Sequence, residues 1–66
     1  MKKFLVTTKS ESGDEYQYFI EHTEKPTMEQ LRKWLLENGS DVDKEEEYLY
    51  EIIQTVIEIP KKFQKL

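Results

Sequence analysis

The sequence predicts an α+β fold: a small ββαβ domain in which one helix packs on one face of a three-stranded antiparallel sheet. Three observations carry this. Two runs rich in β-branched and aromatic residues, KKFLVTTK at 2–9 and EYQYFIEH at 15–22, flank a short polar segment with Gly13, the pattern of a hairpin. A capped amphipathic stretch follows at 27–39. A third β-branched run, YLYEIIQTVIEI at 48–59, ends at Pro60.

The hairpin can close in two registers. A two-residue Ser12-Gly13 turn would set Leu5 opposite Ile20 and Phe4 opposite Glu21. A three-residue loop, Glu11-Ser12-Gly13, suits a type I turn completed by a left-handed glycine. It pairs Ser10 with Asp14, Phe4 with Ile20, Val6 with Tyr18 and Thr8 with Tyr16. One face then carries Phe4, Val6, Tyr16, Tyr18 and Ile20, and the other Leu5, Thr7, Gln17, Phe19 and Glu21. A one-residue slip exchanges the faces, and the three-residue loop separates core from solvent better.

In the helix, Thr27 is a good N-cap and Gln30 completes a capping box, with Pro26 placed to staple on Leu31. The helix is expected from Met28 to Asn38, ending at Gly39 as a left-handed C′ residue. Met28, Leu31, Trp34 and Leu35 form the apolar stripe, and Leu36 falls on its far side. One of Trp34 and Leu36 is therefore expected at a rim or in solvent. The segment SDVDKEEE at 40–47 reads as a polar connection with a turn of helix in its second half.

Residues 48–59 also fit a helical stripe through Leu49, Ile52, Ile53, Val56 and Ile57. The density of β-branched residues favours a strand, because such side chains lose rotamer freedom in a helix. The economical arrangement puts the first strand in the centre, antiparallel to both neighbours, in the order 2-1-3, with residues 1–60 as a single domain and 61–66 as a basic C-terminal tail. The helix would cover Phe4, Val6, Tyr18 and Ile20. The open face would show Leu5, Phe19 and alternate residues of the third strand, either Leu49/Ile53/Ile57 or Tyr50/Ile52/Val56. A sheet with one helix has one dry face, so apolar groups on the other call for a second cover.

At 66 residues the chain buries only about 60% of its unfolded surface. It has no cysteine to staple it, and small domains of this kind lean on regular packing or association. No secretory or membrane-spanning segment is expected, since the apolar run after Lys2 and Lys3 is only Phe4-Leu5-Val6, and the expected location is cytoplasmic. Residues 10–51 hold 13 acids against four bases, while 1–9 and 52–66 are net basic. An acidic middle disfavours broad phosphate-backbone binding and suits a basic partner. In size and acidity the chain resembles small open reading frames of bacteria and their phages or plasmids, and no functional residue is carried over from that resemblance.

Catalytic chemistry finds little footing. There is no Cys nucleophile and no glycine-rich phosphate loop. His22 lies near Glu21 and Glu24, as a general base would beside an acid, but so does any surface histidine in an acidic chain. The run from Asp41 to Glu47 opens like a calcium loop, yet Glu46 stands where glycine is needed and Ile52 where the bidentate Glu belongs. No catalytic, cofactor or metal site is expected. Tyr16, Tyr18, Tyr48 and Tyr50 could form a base-stacking platform with Lys2, Lys3, Lys9 and the 61–66 lysines; Glu15, Glu47 and Glu51 beside them oppose it. That single-stranded nucleic-acid reading is the alternative. The favoured function is a non-enzymatic interaction module, a homodimer or the binder of a protein partner. Its candidate contact residues are Leu5, Phe19, Ile53, Ile57, Trp34 and Leu36, unless Phe63 and Leu66 fold back over the face as a plug.

Overall fold

A computed structural model describes residues 1–63. Strands β1 (Lys2–Ser10) and β2 (Glu15–His22) form the hairpin, and helix α1 (Met28–Asn38) follows. Two short strands come next, β3 (Val42–Asp43) and β4 (Tyr48–Leu49), then β5 (Glu51–Ile59) and a 3-10 turn at Lys61–Phe63. The sheet order is β2-β1-β5 with β1 antiparallel to both neighbours, as the sequence predicts, and β3 and β4 pair separately. The plug expected of Phe63 and Leu66 concerns side chains outside the described residues, as does the end of the basic tail.

The hairpin takes the three-residue loop. Ser10 N donates to Asp14 O at 2.7 Å and Gly13 N to Ser10 O at 3.0 Å. Gly13 has φ 97°, a left-handed value that glycine adopts without a Cβ penalty. Phe4 pairs with Ile20, Val6 with Tyr18 and Thr8 with Tyr16.

Helix α1 begins at the expected capping box: Gln30 N donates to Thr27 Oγ1 at 3.1 Å, and Thr27 N to Gln30 Oε1 at 2.9 Å. Pro26 and Leu31 are both buried at this corner. The helix ends at Gly39, but not in the expected way. Gly39 is extended (φ −67°, ψ 160°), with its N–H donating to Leu35 O at 2.7 Å. Glycine is needed there for space: a Cβ would sit 2.5 Å from Leu35 O and 3.1 Å from Glu51 Oε2.

Phe4, Val6, Ile20, Leu31, Leu35 and Leu49 are the buried apolar residues. Tyr18, Trp34, Ile53 and Val56 pack against the Val6–Ile20–Leu31 cluster. Trp34 and Leu36 are both half-buried, so the expected choice between them does not arise; Met28, at the start of the stripe, is the exposed member.

Two features depart from expectation. Residues 40–47 hold a hydrogen-bonded turn at 44–47, in the second half as expected, but it joins two short paired strands and is not continued as a helix. Val42 pairs with Leu49 and Asp43 with Tyr48, and Asp43 Oδ1 accepts from the N–H groups of Glu45 (3.1 Å) and Glu46 (3.2 Å). Acceptance from the N–H groups two and three residues on is the N-cap pattern; the hydrogen-bonded turn it opens at 44–47 is not continued as a helix because the chain returns into β4. The loop closes through Glu47 at φ 54°. Consequently 48–59 is not one strand. It breaks at Tyr50, whose N–H donates to Asp41 O and whose carbonyl accepts from Glu11 N, both at 3.0 Å.

The second departure is a β-bulge. Thr7 pairs with Thr55 but Thr8 pairs with Ile53, which leaves Gln54 as an extra residue on β5. A bulge inserts one residue and so reverses the alternation of side chains beyond it. Neither expected open-face set survives: Ile53 and Val56 pack against the core, whereas Ile52 and Ile57 are exposed.

Candidate interaction surface

Directly opposed residues of an antiparallel pair project to the same face, so the ladders define rows across the open side of the sheet. Phe19, Leu5 and Ile57 make one row through β2, β1 and β5. Gln17, Thr7 and Thr55 make the next, in which the Thr7 and Thr55 hydroxyls hydrogen-bond to each other. Glu21, Lys3 and Ile59 flank the set at one end, and Glu15, Lys9 and Ile52 at the other. Each end thus has an acid opposite a lysine, with isoleucine on the β5 side. Phe19 is 70% exposed, Ile52 62% and Ile57 54%, while Leu5 at the centre is half-buried.

The structure therefore brings together Leu5, Phe19 and Ile57. It separates them from Ile53, which lies on the helix side, and from Trp34, whose ring packs edge-on against Tyr18 with centroids 5.6 Å apart. Leu36 stands elsewhere, in a shallow depression with Lys33, Glu37, Lys44 and Glu47. Ile52 belongs to the surface but not to the expected contact set, because the bulge that places it has no distinctive sequence signature.

The other candidate chemistries disperse. Tyr16 and Tyr18 share the helix side with Val6 and Thr8. Tyr48 and Tyr50 pack against each other at 4.6 Å, and Tyr48 donates its hydroxyl to Glu11 at 3.0 Å. That hydrogen bond, ahead of the Glu11 charge, pushes the Tyr48 phenol above its usual 10.0. His22 Nδ1 lies 2.9 Å from the carbonyl oxygen of Glu24, two residues on, a local contact with the backbone. Among the described residues no three His, Cys, Asp or Glu side chains converge as a metal site, and no helix is long and apolar enough to cross a membrane.

A group that the sequence does not single out holds the lower end of the sheet. Glu51 is 3% exposed. Its Oε1 accepts from Thr8 Oγ1 at 2.5 Å and from Tyr18 OH at 2.7 Å, and its Oε2 from Asp41 N at 2.8 Å. The Tyr18 oxygen in turn accepts from Ser40 N at 3.0 Å. Burial raises the Tyr18 phenol above 10.0; the bond from Ser40 opposes the rise and Glu51 adds to it. With every buried side-chain polar atom among the described residues partnered, the carboxylate works as a clamp. It ties the α1–β3 link to β1, β2 and β5.

No protein-family model, curated protein or solved structure matches the chain.

Proposed function

We propose that the chain is a small non-enzymatic interaction module that binds protein through the open face of its sheet and the adjoining edge strand, as a homodimer or with a partner chain. The observation that carries this is the Phe19–Leu5–Ile57 row. Two large apolar side chains stand more than half exposed on either side of Leu5, on the face opposite the core cluster. Scattered exposed apolar groups are ordinary, but a contiguous set rimmed by polar residues marks an interaction site. Lys3 opposite Glu21 and Lys9 opposite Glu15 supply that rim. The acidic span from 10 to 51 favours a partner with a basic surface. A cytoplasmic setting belongs to the same proposal and accords with a cysteine-free chain.

Phe19→Glu and Leu5→Glu test the reading. Phe19 is mostly solvated already, so its replacement should change folding stability by less than about 0.5 kcal/mol while binding of a partner on the open face weakens about tenfold or more, near 1.4 kcal/mol. Melting reads the first effect, and capture of a partner chain, or light scattering where the open face is itself the self-interface, reads the second. Equal loss of folding and association would identify an ordinary core face and end the proposal.

A further inference from the structure

Strand β5 is an edge: it pairs with β1 on one side, and among the described residues no strand pairs with the other. The two edges of this sheet differ in character. β2 carries Glu15 and Glu21 along its length. β5 has no charge between Glu51 and Glu58, and the six residues Ile52-Ile53-Gln54-Thr55-Val56-Ile57 contain neither Pro nor Gly. Edge strands are ordinarily blunted by charge, proline or a bulge, because their free backbone groups template pairing with another chain. β5 has only the bulge.

The bulge narrows the choice of partner. At Gln54 the side-chain alternation reverses, so Ile52, Thr55 and Ile57 belong to the open face while Ile53 and Val56 belong to the helix side. A regular antiparallel strand laid along this edge would fall out of step at the extra residue. A second copy carries the same extra residue and stays in step. With a two-fold axis between Gln54 and Thr55, Ile52 opposes Ile57 of the copy, Ile53 opposes Val56, and Gln54 opposes Thr55. Open-face residues then meet open-face residues, and helix-side residues meet helix-side residues. Registers shifted by one residue would oppose the two faces.

Incomplete burial on both sides of the strand fits the same pairing. Ile52 and Ile57 are more than half exposed, and Ile53 and Val56 are only half-buried by the helix. Flanking β5 with its own copy would cover all four. The ladder would end at Glu51, which the clamp already occupies, and at Glu58, which lies 3.9 Å from Lys2 Nζ.

We infer that two copies of the chain pair β5 to β5 antiparallel about a two-fold axis at Gln54/Thr55, giving a continuous six-stranded sheet. The inference rests on the interaction reading above and names the occupant of its edge; the joined open faces remain available to a further partner.

The experiment is a light-scattering mass series across micromolar concentrations on the wild type, Gln54→Lys and Phe19→Glu, each checked for folding by melting. Gln54→Lys sets like charges beside the axis and should weaken the dimer about tenfold or more, whereas Phe19→Glu, on the far strand, should leave it intact. Because the chain has no cysteine, a mixture of Ile52→Cys chains with Ile57→Cys chains should oxidise to the mixed dimer in preference to either homodimer. A wild-type monomer throughout the series overturns the edge inference, and the open-face reading is then decided by partner capture with and without Phe19→Glu. A dimer dissolved by Phe19→Glu but not by Gln54→Lys also overturns it, while upholding the open-face reading.

Discussion

Replacing Glu51 with glutamine keeps the side chain's shape and removes its capacity to accept on both oxygens. In the native arrangement Oε1 takes two hydroxyl donors, Thr8 and Tyr18, and Oε2 takes the Asp41 N–H. An amide can keep the two hydroxyls only by turning its NH2 toward the Asp41 N–H, or keep Asp41 by turning NH2 toward the hydroxyls. In the first case NH2 faces the Asp41 N–H; in the second the hydroxyls can turn to accept from NH2, but their own protons lose the carboxylate, so either way the charged acceptor is lost at a cost of about 1–3 kcal/mol. We take about 2 kcal/mol for Glu51→Gln, a large share of the roughly 3–10 kcal/mol that 0.05–0.15 kcal/mol per residue gives a chain of this length. In urea, with a slope of about 1 kcal/mol/M, the midpoint should fall by roughly 2 M. Tyr18→Phe removes a charge-assisted bond and the acceptor of Ser40 N, and should cost about 1.5–3 kcal/mol. Because both changes strike one network, the double variant should lose less than the sum of the singles by about 0.5 kcal/mol or more. A Glu51→Gln protein within about 0.5 kcal/mol of wild type, or strict additivity, would refute the clamp.

Three further outcomes follow from local geometry. Gly39→Ala forces a Cβ against Leu35 O and Glu51 Oε2 and should destabilise by about 1–3 kcal/mol; an unchanged melting temperature would show that the corner can open. Glu47→Gly relieves a left-handed residue at φ 54° and should raise stability by up to about 1 kcal/mol even after the extra chain entropy of glycine, whereas a loss in urea titration would show that the Glu47 side chain matters more than its backbone. The phenols of Tyr18, Tyr16 and Tyr48 are raised in the folded chain. The unfolded chain therefore ionises first, and stability present below pH 10 should be lost as pH climbs through the unfolded value toward the raised folded ones. Tyr18→Phe should reduce that alkaline loss, read from unfolding midpoints alongside tyrosinate absorbance, and no reduction would count against a raised Tyr18.

The fold was legible wherever local chemistry and long-range packing agree. The hairpin register follows from Gly13 and from which slip keeps Phe4, Val6 and Ile20 together, and both conditions hold in the structure. The capping box at Thr27 and Gln30 is likewise a local interaction that survives intact. What stayed hidden depends on partners distant in sequence. Gly39 reads as a left-handed stop until Glu51 arrives beside it. Asp43 caps a turn in the acid run, and the pairing of Val42 with Leu49 and Asp43 with Tyr48 turns the chain back before a helix can extend. The bulge at Gln54 breaks no propensity rule, yet it decides which isoleucines face solvent, so each of the two alternative open-face sets, one with Ile53 and one with Ile52, mixes the two faces.

The two ends of the sheet solve the problem of a small core differently, and this bears on why its open face is apolar. One end buries Phe4, Val6, Ile20 and Leu31 under the helix. The other adds a carboxylate cluster around Glu51, beside buried Leu35 and Leu49, which ties the α1–β3 link to the sheet. Burying an isoleucine or phenylalanine side chain is worth about 1.5–3 kcal/mol. The chain leaves Phe19, Ile52 and Ile57 in solvent while its interior is closed by a polar device. A sequence selected only to fold would gain by exchanging these roles, with isoleucine inward and glutamate outward. Bringing Phe19, Leu5, Ile52 and Ile57 together on one wet surface is consistent with stabilisation drawn from association, where the same area is buried against a second chain.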